Sequence, residues 1–160
     1  VKDIKDNGMN IIGNYIFFFF GDDFDTMQET LDLGIELNCE RPNYYCTMAY
    51  PGSQLHRDAR IGSLPVPKDW DYSRPLLPED KKGPGFIGYS QHSFETFPLP
   101  TAYLMPEEVL DFRDKAIKSA FTHQDYVSLL NDKFGKKNTE EFVKINSQVP
   151  KRRILGHEKD

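Results

Sequence analysis

The chain has 160 residues, a net charge of −5, 38% hydrophobic residues and 13% aromatic ones. That is enough apolar material for a folded core and excludes a disordered chain. The acidic balance excludes a nucleic-acid surface, because phosphate binding needs clustered Lys and Arg, and the basic run Lys151-Arg152-Arg153 reads as a solvated tail or helix end.

In chain order, the first element is the apolar run Ile11–Phe20, which follows Lys2 and Lys5. It imitates an export signal, but Gly13 and Asn14 interrupt it and no small-residue cleavage site follows. It is also shorter than the roughly 20 apolar residues of a membrane helix. Its β-branched and aromatic content predicts a parallel strand covered on both faces. Gly21 breaks it. Asp25 with Gln28 three positions on predicts a capped helix. Met27, Leu31 and Ile35 form its apolar stripe, widened by Leu33 and Leu37, and Gly34 permits close packing. Cys39 to Pro42 ends the helix. A second strand is expected over Tyr44–Tyr50, stopped by Pro51-Gly52. Strand, helix, strand predicts a right-handed βαβ unit. Ser53 then caps a short helix over Gln54–Ile61, with Gly62 after it.

From Ser63 to Pro106 the chain turns proline-rich, with the turn Gly83-Pro84-Gly85. A segment this long is functional or wraps the surface. Trp70, Tyr72, Phe86, Tyr89, Phe94, Phe97 and Tyr103 suggest that it packs down. The last third is helical. Pro106 suits the first helical position, with Glu107 and Glu108 in the first turn. Val109, Phe112, Ala116, Ile117 and Ala120 form an apolar face. Thr122 is expected to cap the next helix, with Tyr126, Leu129, Leu130 and Phe134 as its face and Gly135 as its stop. Asn138 with Glu141 predicts a third capping box, ahead of Phe142, Ile145, Val149 and the closing Pro150. The organisation expected is thus a βαβα segment over 1–62, a proline-rich aromatic segment over 63–105, a helical extension over 106–155 and a tail over 156–160.

Two parallel strands joined by one helix leave both sheet edges open. The chain therefore either hides more strands in the loop region or is a fragment of a larger α/β domain. The start at Val1 points to a fragment.

The stretches "GNYIF…DDFDTMQETLDLGIELNCERPNYYCTMAYPGSQLH", "GYSQHSFETFPLPTAYL" and "EEVLDFRDKA", in that order over roughly residues 1–155, resemble the C-terminal part of cobalamin-binding-domain radical S-adenosylmethionine proteins, relatives of anaerobic porphyrin-ester cyclases and methylases. The resemblance implies a partial (β/α) barrel, with Ile11–Phe20 and Tyr44–Tyr50 as late strands and the rest as a C-terminal extension. It implies reductive cleavage of S-adenosylmethionine by a 4Fe-4S cluster, with methyl transfer or ring formation on an unreactive carbon, and cobalamin as a possible further cofactor of the intact protein. Two departures stand out. The family's Cys-x-x-x-Cys-x-x-Cys cluster motif is absent, and Cys39 and Cys46 do not replace it. No cofactor is therefore expected on this chain alone, and the chain by itself is expected to be inactive. Where relatives read Gly-Leu-Pro, this chain has Phe18-Phe19-Phe20. In the broader Gly-x-Ile-x-Gly-x-x-Glu pattern, Ile16 matches the Ile, whereas Asn14, Phe18 and Gly21 stand at the Gly, Gly and Glu positions. A Phe there fills the space of a ring or stacks on it.

The cofactor-contact candidates are Ile16, beside an adenine, and Tyr50, Pro51 and Gly52, at the family's Pro-Gly turn. Each has a plain alternative: a buried strand residue for Ile16, a strand-ending turn for the others. Asp22 and Asp23 follow the strand's C-terminal end, where α/β sheets place chemistry. They either orient a ribose hydroxyl or polar substrate, or serve the next helix N-terminus. Of the four histidines, His56, His92, His123 and His157, none has metal spacing, and His92 stands out for its Ser-Gln-His-Ser loop. No catalytic residue and no metal ligand is assigned. Two cysteines and no disulfide framework suggest reduced thiols in the cytoplasm. Expected partners are the N-terminal remainder of the barrel or a second copy through Ile11–Phe20, with no nucleic acid and no membrane. The alternative to an enzyme fragment is a stand-alone structural or interaction module descended from such an enzyme. A different α/β-barrel enzyme using Asp22, Asp23 and His92 is a third, weaker possibility.

Overall fold

The computed structural model describes residues 1–64 and 89–159. Trp70, Tyr72, Phe86 and the Gly83-Pro84-Gly85 turn lie outside them. Chain order is α1 (Lys2–Asp6), β1 (Ile12–Phe17), α2 (Phe24–Leu37), β2 (Arg41–Cys46), α3 (Gln54–Arg60), α4 (Pro106–Thr122), α5 (Gln124–Phe134) and α6 (Lys136–Asn146). A single turn of 3-10 helix follows at Arg153–Leu155. The fold is mixed α/β, with β1 and β2 paired in parallel from Ile12 opposite Arg41 to Phe17 opposite Cys46.

One face of this sheet is built for packing. Tyr15 and Phe17 of β1 and Pro42, Tyr44 and Cys46 of β2 point inward. The Phe17 ring stacks on Tyr44 at 5.6 Å and meets Phe112 of α4 edge-on at 5.4 Å. Gly34 of α2 rests on the same face, where an added Cβ would collide with Tyr44 Oη and lie 3.3 Å from Tyr15 Cζ. The expected close helix–strand approach at Gly34 is therefore real. The other face differs from expectation. Ile12 is 62% exposed and Ile16 44%, so β1 is covered on one face only. Its run of apolar residues looked two-sided because the bare face is itself largely apolar. Both strands also end earlier than expected: positive φ at Phe18 stops β1, and β2 is shifted toward Arg41.

Helix boundaries follow local capping chemistry. The cap of α2 is Asp23, two residues before the expected Asp25. Asp23 Oδ1 accepts from Thr26 N–H (3.0 Å), and Thr26 Oγ1 accepts from Asp23 N–H (3.0 Å). This reciprocal pair satisfies two free amides of the first turn. It also holds the Asp23 carboxyl below its ordinary range. At the other end Asn38 turns left-handed (φ 45°), while Lys5 of α1 donates to Leu37 O (2.9 Å) and Asn38 O (2.8 Å). A cation there offsets the helix dipole. Ser53 caps α3 as expected, and Pro106 opens α4, with Glu108 accepting from Met105 N–H. Two further expected caps are corrected. Thr122 closes α4, its hydroxyl spent on Lys118 O, so His123 caps α5. Asn138 lies inside α6, bonded to Phe134 O, because Gly135 at φ 82° both stops α5 and starts α6.

The main core joins the inward sheet face to α2, α4, Tyr89 and Leu99. A satellite of Phe121, Tyr126 and Leu130 holds α5 and α6. Of the proline-rich segment's described aromatics, Tyr89 is buried and Phe94 and Phe97 half-buried, whereas Tyr103 is exposed. Glu40 links the strand entries to α5. It accepts from Ile11 N–H (2.7 Å) and pairs with Lys133, while Tyr126 donates to its carbonyl (3.0 Å). Burial pushes the Glu40 carboxyl up, but the bonds from Lys133 and Ile11 outweigh it and the net direction is down. Among the described residues, no helix is long and apolar enough to cross a membrane.

Candidate functional site

The C-terminal ends of the strands hold the residues singled out in the sequence. Ile16 sits on the bare face in register with Tyr45. Together they offer a flat apolar patch. The Phe18 ring does not compete for it. Phe18 takes φ 83°, a conformation glycine adopts freely and a bulky residue rarely does. That twist turns its side chain into the core, leaving it 2% exposed. The twist is held by Asp22, whose Oδ2 accepts from Phe18 N–H (2.8 Å) and Phe19 N–H (2.9 Å). Asp22 therefore serves this turn and Asp23 caps α2. Tyr50 stacks on Tyr89 at 5.7 Å and donates to Tyr89 O at 3.4 Å. Pro51 and Gly52 are exposed; Gly52, at φ 87°, accepts from Arg57 Nη1 (3.0 Å).

Both thiols are buried and free. Cys39 lies 3.8 Å from Tyr15 Oη, and burial pushes the Cys46 thiol up to about 12. An iron–sulfur cluster needs several thiolates on one open loop. Among the described residues no group of three or more His, Cys, Asp or Glu is placed to hold a metal. The donor set does not fit a cluster.

The polar centre of the molecule lies elsewhere, along the outer edge of β2. Arg41 N–H bonds Ile11 O and Thr47 N–H bonds Phe17 O, so the odd-numbered residues of both strands bond within the pair. The even-numbered ones face outward. On β2, Pro42 has no N–H to offer. Tyr44 O accepts from Arg113 Nε (3.0 Å). Gln91 takes both groups of Cys46, accepting from its N–H (2.9 Å) and donating to its carbonyl (2.8 Å). Arg113 Nη1 donates to Gln91 O (3.0 Å) and to Asp114 Oδ1 (2.8 Å). Asp114 is gripped from the other side by Arg152, through Nε (2.7 Å) and Nη2 (2.9 Å). Arg152 Nη1 also donates to Ser93 O and Thr96 Oγ1. All three charged side chains are at most 1% exposed. Arg152 is therefore the opposite of the solvated tail expected. It pins the C-terminal segment to α4 and to the loop at 91–96.

Beside this cluster lies a cavity of about 640 Å³. Arg41, Asn43 and Tyr45 form its strand side, Ile117 and Phe121 its α4 side, and Ile145 and Val149 its C-terminal rim. Arg113, Asp114 and His92 line it as well. His92 is exposed at the rim; partial burial and the Arg113 and Arg152 cations hold its imidazole below the ordinary value. Sequence reasoning singled out His92 and missed its neighbour Gln91, which does the structural work. It also missed Arg113, although the signal was present. Arg113 lies four residues after Val109 and three before Ala116, on the apolar face of α4, where a cation must find buried partners. No family model, no curated protein and no solved structure matches this chain.

Proposed function

We propose that the chain supplies the last two strands of a partial (β/α) barrel, in a protein of the cobalamin-binding-domain radical S-adenosylmethionine type. One observation carries this reading: the sheet is finished on one side only. A terminal strand needs a blocked outer edge, and β2 has one in Arg113 and Gln91. A strand with a neighbour to come needs a free edge and, in a barrel, a face turned to the interior. β1 has both, in Ile12, Asn14 and Ile16. The Ile16–Tyr45 patch is where a flat ring would rest. The reductive cleavage of S-adenosylmethionine, and the methyl transfer or ring formation that follows, belong to the intact cytoplasmic protein with its own cluster and cobalamin. This chain alone is inactive.

Anaerobic iron and sulfide reconstitution tests the division of labour. The expected result is no chain-bound cluster absorbance, and a stoichiometric cluster overturns the reading. The encoding gene tests the parentage: an in-frame upstream Cys-x-x-x-Cys-x-x-Cys supports the enzyme fragment. A start codon at residue 1 supports instead a stand-alone interaction module. That second reading is favoured by Asp22 and Gly52, whose polar groups are spent on the chain's own turns.

A further inference from the structure

The cavity at the β2 edge has a charge imbalance beneath it. Arg113 and Arg152 carry two positive charges, and Asp114 returns one negative. Every donor of Arg152 that touches the cluster is used, and Asp114 accepts from both arginines. Arg113 is different. Its Nε and Nη1 are bonded, but its Nη2 is buried with no hydrogen-bond partner among the described residues. Leaving a guanidinium donor buried and unpaired costs about 1–3 kcal/mol. The cavity that Arg113 lines also carries Arg41 on its strand side and the amides of Asn43, Asn146 and Gln148, and its one carboxylate, Asp114, is already saturated. Lys151 adds an exposed cation at the rim, and Ile117, Phe121, Ile145 and Val149 supply apolar walls.

We infer that this cavity binds a small organic carboxylate with an apolar body, its carboxylate on Arg113 Nη2 and its body against Ile117, Phe121 and Val149. A single negative charge balances the cluster, and one carboxylate oxygen is enough to satisfy the one free nitrogen, Nη2, by a charge-assisted bond. The volume is in the range of small-molecule pockets. Nη2 is shut off from solvent, so the ligand displaces a wall side chain to reach it. The side chains of His92 and Tyr45 line the cavity, are not fully buried and make no side-chain hydrogen bond among the described residues. Either can turn aside without losing a side-chain hydrogen bond. The inference does not depend on the barrel reading, since every residue it uses lies in this chain.

The test is titration of the full chain with benzoate and hexanoate, followed by calorimetry and by the NMR signals of the His92 ring and the Arg113 side chain. Ligands of this size should bind with Kd about 1 mM. Benzamide, which lacks the charge, should bind about tenfold or more weakly. Ile145→Trp fills the cavity from an exposed position and should abolish binding while leaving the far-ultraviolet spectrum unchanged. Arg41→Gln, also exposed, should weaken binding a few-fold. No saturation by either acid at about 20 mM, equal binding of benzamide, or binding unchanged in Ile145→Trp would each overturn the assignment. A response to inorganic phosphate as strong as that to benzoate would also overturn it, by showing general anion attraction.

Discussion

The two edges of the sheet solve the same problem in opposite ways. Each strand presents a row of outward backbone groups. On β2, side chains close the row: Arg113 on Tyr44 O and Gln91 on both polar groups of Cys46. On β1, among the described residues, no hydrogen bond reaches the backbone of Ile12, Asn14 or Ile16 on that side. Capping an edge with side chains is expensive when one of them is a buried cation. The cost is met by Asp114 and Arg152, which turn a lone guanidinium into a network joining β2, α4, the 91–96 loop and the C-terminal segment. The comparison teaches that the blocked edge is a built feature, and that the bare edge is not a general failure of this fold to protect its strands.

The largest expected effect breaks the blocked edge at its charge. Asp114→Asn leaves Arg113 and Arg152 buried without an anion. Removing one partner of a buried ion pair costs about 3–5 kcal/mol, which for a chain of this size lowers Tm by about 10 °C. Calorimetry checks this. A shift of a degree or two would show that water already screens the cluster.

Gln91→Ala breaks the same edge without touching a charge. It strips two bonds from Cys46, whose amide and carbonyl are then unsatisfied beside the core. The expected loss is about 1–3 kcal/mol, with faster amide exchange at Cys46 and more self-association than the parent chain. Full stability with unchanged exchange at Cys46 would mean that another group covers the edge.

What was legible in the sequence follows from what is local. The strand–helix–strand order, the Ser53 cap and Pro106 at the start of α4 each depend on residues a few positions apart. The βαβ unit was legible because the Ile11–Phe20 run, Gly21 and the Met27–Ile35 stripe switch period in sequence. The blocked edge was not, because its bonds span long separations: Arg113 to Tyr44, Arg152 to Asp114, Gln91 to Cys46. No window of sequence holds both partners. The Phe18 twist was hidden for another reason. Nothing in four consecutive phenylalanines marks the one with positive φ, and the cause, Asp22, sits four residues on.

His92 sharpens the comparison through pH. Its folded-state imidazole is held below the ordinary value by partial burial and by Arg113 and Arg152. A depressed histidine favours the neutral form in the folded chain, so the unfolded chain binds the proton more readily. The contribution of His92 to stability is therefore full above about pH 6.5 and is lost as pH falls below it. His92→Asn should flatten that fall in denaturant titrations between about pH 7 and 5. Identical pH profiles for the parent and His92→Asn would detach His92 from the cluster's field.

The smallest effect on stability, and the sharpest on the open edge, is expected from Ile16→Lys. Ile16 is on the bare face, so the change should move stability by no more than about 0.5 kcal/mol. A lysine there discourages a second strand from adding alongside β1. If the isolated chain pairs through β1, the blocked β2 edge makes that pairing finite. Two copies meet β1 to β1 about a two-fold axis, and the outer edges of the resulting four-stranded sheet are already closed. Light scattering should then find a dimer that does not grow into larger species, and Ile16→Lys should shift it toward monomer, with a Tm that matches the parent chain's at low concentration, where the parent is itself monomeric. Fibres or open-ended oligomers would show that β2 is not blocked in solution. A parent chain that stays monomeric at high concentration would show that β1 is shielded by something other than a second copy.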